Sequence, residues 1–160
     1  MNLHVSTELM DEIVAEALRH INRKSVEYHL NVQSSEEYLL VQVDAKLIIQ
    51  VIINIVDNAI KYTPPGSEID IGWRKQGNFV SVSVSDNGPG IPDQAKPHIF
   101  DMFYSASNQF ADSRRSMGLG LALCKSIVNA HGGEITVTDQ LPHGSIFTFS
   151  VPAGEVELHE

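Results

Sequence analysis

Five polar side chains interrupt an otherwise apolar segment: Gln50, Asn54, Asp57, Asn58 and Lys61 punctuate the Ile- and Val-rich run from Leu47 to Tyr62. At about 100° per residue they share roughly 100° of arc on a helix, centred near Asn54. From periodicity alone this is also a solvated stripe on a buried helix. Solvated faces, however, favour Lys, Glu and Gln, whereas asparagines four residues apart are poor helix formers with short, directional amides. Two amides and an ammonium in line suit a divalent ion and phosphates, because Mg²⁺ keeps several waters and takes few protein oxygens.

Two further constellations extend the pattern. Asp86-Asn87-Gly88-Pro89-Gly90 directly follows a β-branched, alternating run. An Asn-Gly pair between extended segments is also a common hairpin signal. A plain turn leaves unexplained why Gly88 and Gly90 flank Pro89, a composition that lets backbone approach a flat ligand while fixing its direction. A carboxylate at the strand end can accept an amino proton from a base, a charge-assisted bond of roughly 1.5–3 kcal/mol that selects adenine. Gly118-Leu119-Gly120-Leu121 joins a polar segment to an apolar helix, where backbone N–H groups attract phosphate and glycine removes the obstructing side chain. As a Gly-x-Gly it equally describes a loop-to-helix junction. Arg114 and Arg115 lie just before it, one of three adjacent basic pairs, with Arg23-Lys24 and Arg74-Lys75.

These residues need elements to hold them. Ser6 and Thr7 precede apolar positions at helical spacing from Leu9 to Ile21, which predicts an opening amphipathic helix with a cap at one of them. Residues 26–32 and 38–43 read as two strands joined by a turn at Gln33-Ser34-Ser35. Asp44 looks like the cap of a second helix running to about Tyr62, stopped by Pro64, Pro65 and Gly66. Strands are expected near 68–74 and 79–85, then a short helix near 93–100 and a polar loop over 104–116. A third long helix over 118–131 ends at Gly132 and Gly133, and strands near 134–138 and 145–151 close the chain. This order predicts an α+β two-layer sandwich, one layer of helices on one mixed sheet, in a single domain over residues 1–160.

Twenty acidic against 11 basic side chains leave a net charge of -9, which argues against nonspecific nucleic-acid binding. At 42% hydrophobic, the chain is large enough to bury a real core. No window reaches the roughly 18–20 apolar residues of a membrane span. The lone Cys124 forms no internal disulfide, and Met1 to Val5 lack the features of a signal peptide, so a reducing, cytosolic setting is expected.

In this order, the constellations resemble the catalytic, ATP-binding domain of sensor histidine kinases, in the wider family shared with gyrase, Hsp90 and MutL. Asn54-Ile55-Val56-Asp57-Asn58-Ala59-Ile60-Lys61-Tyr62 looks like the N box, Asp86-Asn87-Gly88-Pro89-Gly90-Ile91 the G1 box, and Ile99-Phe100-Asp101-Met102-Phe103 the F box. Gly118-Leu119-Gly120-Leu121 looks like the G2 box and Gly144-Ser145-Ile146-Phe147 the closing glycine motif. The resemblance covers roughly residues 8–152 and implies the Bergerat (GHKL) ATP-binding fold. It implies that Asn58 is the Mg²⁺ ligand, that Lys61 and Asn54 reach the phosphates, that Tyr62 packs near the adenine, and that Asp86 binds its exocyclic amine. Gly88, Gly90, Ile91, Phe103, Gly118, Leu119, Gly120 and Leu121 join the nucleotide site as members of these boxes. The segment from about Asp101 to Met117 would be the ATP lid, with Arg114 or Arg115 approaching the γ-phosphate on closure. Many kinases carry another glycine two residues before Gly118; here Ser116 stands in that place, which stiffens the hinge.

The run from Phe103 to Lys125 is similar to that of the potassium-responsive sensor kinases. That likeness implies a bacterial, membrane-anchored, homodimeric parent with this domain in the cytoplasm, a cognate response regulator, and control of a potassium-uptake operon. Phosphoryl transfer needs positioning and charge neutralisation more than covalent help. Kinase acceptor histidines resemble His followed by an acid, an arginine and a proline, and here only His159 precedes an acid. The acceptor is therefore expected on a separate dimerisation domain, and this domain itself should touch neither membrane nor nucleic acid. His20, His29, His98, His131 and His143 read as structural or surface residues, with His131 near a helix C-terminus, where a cation is favoured. Cys124 reads as a packed thiol. Two rivals stand beside the kinase. One is a stand-alone ATPase of the gyrase and Hsp90 type, opposed by Asn54, where those enzymes resemble a water-activating glutamate. The other is an interaction module that switches partners through lid order.

Overall fold

The computed structural model describes residues 1–21, 28–33, 38–102 and 120–155. In chain order the elements are β1 (Ser6–Leu9), α1 (Met10–Arg19), β2 (His29–Gln33), β3 (Leu40–Val43), α2 (Ala45–Tyr62), β4 (Glu68–Gln76), β5 (Phe79–Asp86), α3 (Gly120–Ala130), β6 (Ile135–Asp139) and β7 (Ser145–Pro152). Five strands form a mixed sheet in the order β2-β4-β5-β7-β6, parallel between β2 and β4 and antiparallel elsewhere. Strand alternation sends Ile69, Ile71 and Trp73, Val80, Val82 and Val84, and Phe147, Phe149 and Val151 into one buried face. Residues of the opposite parity build a polar outer face, where the Ser83 and Thr148 hydroxyls meet at 3.1 Å.

Among the described residues three helices cover the apolar face, with α2 packed against both α1 and α3. The Asp44 carboxylate caps α2 by accepting the Leu47 N–H at 3.4 Å. Ile48, Val51, Ile52, Ile55, Val56, Ala59 and Ile60 recur at helical spacing and are buried, which turns the polar stripe away from the sheet. α3 runs antiparallel to the first half of α2 and is tied to it at both of its own ends: Asp44 N–H donates to His131 Nε2 at 3.0 Å, and Asn54 reaches Gly120. Midway, Cys124 Sγ lies 3.7 Å from the Val51 carbonyl oxygen. His131 also donates from Nδ1 to the Ile127 carbonyl at 2.8 Å, so its ring is neutral and serves as a buried two-way brace rather than a cation at the helix end.

Four expectations are corrected. Ser6 and Thr7 do not cap the opening helix; they lie in β1, which pairs antiparallel with β3 from Ser6↔Val43 to Leu9↔Leu40, and α1 begins at Met10 without a side-chain cap. Ladder hydrogen bonds to a remote strand outcompete a local cap. β2 and β3 do not form a hairpin: β2 is a parallel edge strand beside β4, while β3 and β1 make a second, two-stranded sheet, so the single-sheet expectation is also incomplete. Burial divides them, since Val41 and Val43 are fully buried whereas β2 is mostly exposed. The small sheet joins the end of β7 through a bridge between Val41 and Ala153. The short helix near residues 93–100 is reduced to one 3₁₀ turn, Lys96–His98, with Pro97 in its first turn. Lys96 fastens it to β6 by an ion pair with Asp139 at 2.8 Å, and also pairs with Asp93. Among the described residues no helix is long and apolar enough to cross a membrane.

Candidate functional site

Packing decides which side of α2 is free. Asn54 and Asn58 are half-buried, and Gln50, Asp57 and Lys61 are exposed along the same side. Gln50 Nε2 donates to Asn54 Oδ1 at 2.8 Å, which leaves Asn54 Nδ2 pointing at the Gly120 carbonyl, 3.5 Å away at the start of α3. Lys61 Nζ lies 5.2 Å from the centroid of the Tyr62 ring, a cation–π pairing at a partly exposed aromatic.

The C-terminal carbonyls of α2 lack helical partners and are served by side chains. Thr63 Oγ1 donates to the Ala59 carbonyl at 2.7 Å, and the Tyr28 hydroxyl is shared between the carbonyls of Ile60 at 2.9 Å and Thr63 at 3.0 Å. Pro64 then prevents continuation. Thr63, held in this way, forms one wall of the turn after β5: a Cβ on Gly88 would come within 2.5 Å of Thr63 Cγ2.

Asp86 ends β5 with its side chain buried. Its Oδ1 accepts the Gly88 N–H at 2.9 Å. Burial pushes its carboxyl above the usual aspartate range, opposed by hydrogen bonds from the N–H groups of Gly88 and Ser145. Asn87 Oδ1 accepts the Glu68 N–H at 2.9 Å, tying the turn to the start of β4. Gly90 has φ +82°, open to glycine at little cost, and faces the Gly144 carbonyl. Gly144, at φ +118°, lies so close beneath the turn that a Cβ there would overlap the Asp86 carbonyl oxygen.

The structure therefore brings Asn54, Asn58, Lys61 and Tyr62 onto one side of α2, with Gly120 at one end of that side and Gly88 at the other. Ile91 and Leu121 are half-buried and pack against the core. Phe103, Arg114, Arg115, Gly118 and Leu119, and with them nearly all of the expected lid, lie outside the described residues. Sequence reasoning did not single out Tyr28, Thr63 or His143 for this site. Only Thr63 carried a local signal, as the residue between the helix end and Pro64.

The donors present fit an adenine nucleotide. A buried carboxylate with unused lone pairs, beside a glycine that leaves no room for a Cβ, suits the edge of a flat base carrying an amino group. Among the described residues no group of three or more His, Cys, Asp or Glu could cage a metal ion. The amide oxygen of Asn58 is instead the kind of single hard ligand that a phosphate-borne Mg²⁺ takes.

A two-layer domain with a polar helix stripe running between the glycine turn after β5 and the start of α3 has the donors of a nucleotide-binding class of proteins, and comparison with known proteins narrows it. Residues 43–155 match the histidine kinase-, DNA gyrase B-, and HSP90-like ATPase family. The chain is 41% identical over 145 residues to the sensor protein KdpD of Clostridium acetobutylicum, covering 91% of this chain and 16% of that protein. It is 37% identical over 153 residues to the adaptive-response sensory kinase SasA of Microcystis aeruginosa, covering 94% of this chain and 39% of that one. The solved catalytic domain of the histidine kinase ThkA superposes with a TM-score of 0.82 at 30% identity, over 95% of this chain and 96% of that one. A second ThkA structure, in complex with the response regulator protein TrrA, gives 0.80 at 29% identity, over 95% of this chain and 42% of that one. The chain belongs to the histidine kinase-, DNA gyrase B- and HSP90-like ATPase family, with the mixed-sheet fold of its histidine kinase catalytic domains. It spans about a sixth of the length of the KdpD relative.

Proposed function

We propose that this chain binds ATP with Mg²⁺ along the α2 stripe and transfers the γ-phosphate to a histidine on a separate dimerisation domain of a homodimeric sensor kinase, from which it passes to a response regulator. One observation carries the reading: α2 approaches Gly120 through Asn54 and the Asp86–Gly90 turn through Thr63, which supports a single cleft shared by three constellations distant in sequence. In this reading Asp86 receives the adenine amino group, Gly88 and Gly90 leave room for the ring, and Tyr62 packs near it. Lys61 and Asn54 hold the phosphates, and Asn58 would hold Mg²⁺, which supplies charge neutralisation on the triphosphate when bound. Gly118 to Leu121 present backbone N–H groups to the phosphates, while Arg114 or Arg115, on the lid over about 101–117, approaches the γ-phosphate.

An amide at Asn54 cannot take a proton from water, so hydrolysis should be slow and transfer to an added acceptor domain favoured. The likeness to KdpD over 91% of the chain supports a finer assignment: a KdpE-like regulator, control of potassium uptake, and a cytoplasmic position beneath a membrane anchor. Calorimetric titration with ATP and GTP analogues, each with and without Mg²⁺, tests the core of it. Adenine-selective, Mg²⁺-sensitive binding is expected, and a folded chain that binds neither would sink it. Rapid turnover without an acceptor would point to a stand-alone ATPase, and binding without transfer to an interaction module.

A further inference from the structure

The loop from Gln140 to Gly144 is not part of any phosphate or base constellation, yet it lies against the Asp86–Gly90 turn. His143 Nδ1 is 3.0 Å from the Gly88 carbonyl oxygen. A carbonyl only accepts, so Nδ1 carries the hydrogen and donates it. Both backbone polar groups of Gly88 are then engaged by side chains, its N–H by Asp86 Oδ1 and its C=O by His143. The loop is closed by the Gln140 N–H donating to the Gly144 carbonyl at 3.1 Å, and Gly144 is wedged under Asp86, so the imidazole is delivered to its acceptor by a braced backbone.

We infer that His143 is a positioning residue for the nucleotide: by holding the Gly88 carbonyl it keeps the Gly88 N–H on Asp86 and the carboxylate aimed for the base. The inference rests on the ATP reading of the cleft. His143 is exposed outside the core, so its loss should cost affinity more than stability.

Nδ1 of histidine coincides with Nδ2 of asparagine, whereas glutamine places its nitrogen about where Nε2 stands. Titration of the 160-residue chain and its H143A, H143N and H143Q variants with ATP analogue uses this difference. Loss of one hydrogen bond predicts about five-fold weaker binding for H143A. H143N should recover to within about two-fold of the parent, and H143Q should stay as weak as H143A. Parent-like binding by H143A, or equal recovery by H143N and H143Q, overturns the role. If the parent chain binds no nucleotide, the ATP reading fails separately, and hydrogen exchange at the Gly88 amide decides this one. Faster exchange in H143A, restored in H143N, upholds the brace, and unchanged exchange overturns it.

Discussion

The two ends of the proposed cleft are built differently. At the base end, the turn after β5 is held by Asp86 from within, Thr63 from α2, Asn87 onto β4, and Gly144 and His143 from the loop before β7. At the proposed phosphate end, among the described residues, Asn54 meets Gly120 at 3.5 Å, and a Cβ on Gly120 would meet nothing within 4 Å. A turn braced in this way is preorganised, so under the ATP reading little ordering cost falls on the moment of binding.

The comparison can be broken most violently with glycine. Gly144→Ala should destabilise by about 3 kcal/mol or more and abolish nucleotide binding, because the new Cβ meets backbone at an unfavourable φ. Gly120→Ala, in open helical space, should leave stability unchanged or raise it by up to about 1 kcal/mol. Denaturant titration of both reads the contrast directly, and equal losses would erase the distinction between the ends.

Asp86→Asn should follow in size, with at least ten-fold weaker ATP binding from loss of a charged acceptor worth roughly 1.5–3 kcal/mol. Burial raises the folded-state pKa of Asp86, so its folded carboxyl takes up a proton at higher pH than in the unfolded chain. Its ionisation therefore costs stability as pH rises, whereas the ATP affinity it provides is lost as pH falls through a value above the usual aspartate range. Titration across mildly acid pH should show that slope in the parent and a flatter one in Asp86→Asn.

Asn58→Ala, at the half-buried middle of the stripe, should change stability little but remove the Mg²⁺ dependence of ATP binding. A full Mg²⁺ effect in calorimetry of the variant would move the metal elsewhere. The last prediction leaves nucleotide binding aside and concerns the α2–α3 seam. Cys124 is buried, its thiol pushed up to about 12 by desolvation, so alkylation near neutral pH should be at least about a hundred-fold slower than in the unfolded chain. Prompt labelling of the native chain would show that the α2–α3 seam opens.

Much of this was legible where physics is local. The α2 boundaries could be read from Asp44 and Pro64 because a cap and a breaker act on their neighbours. The polar stripe could be read because helical period alone brings Gln50, Asn54, Asp57, Asn58 and Lys61 to one side. The destinations of β1, β2 and β3 could not, since their partners are chosen by which residues bury together, and Ser6-Thr7 before an apolar run looks like a cap until β3 claims it. His131 likewise suggested a cation at a helix end, and its neutral form follows only once the Asp44 N–H, 87 residues away, needs an acceptor.

Local period and capping set most of the elements along the chain, and the order of polar and glycine-rich segments marks the family. How those segments meet is a matter of packing: Thr63 against Gly88, Asn54 against Gly120, and His143 on the Gly88 carbonyl. Such contacts depend on which backbone groups still need partners after the sheet and helices have packed, and no spacing along the chain records that.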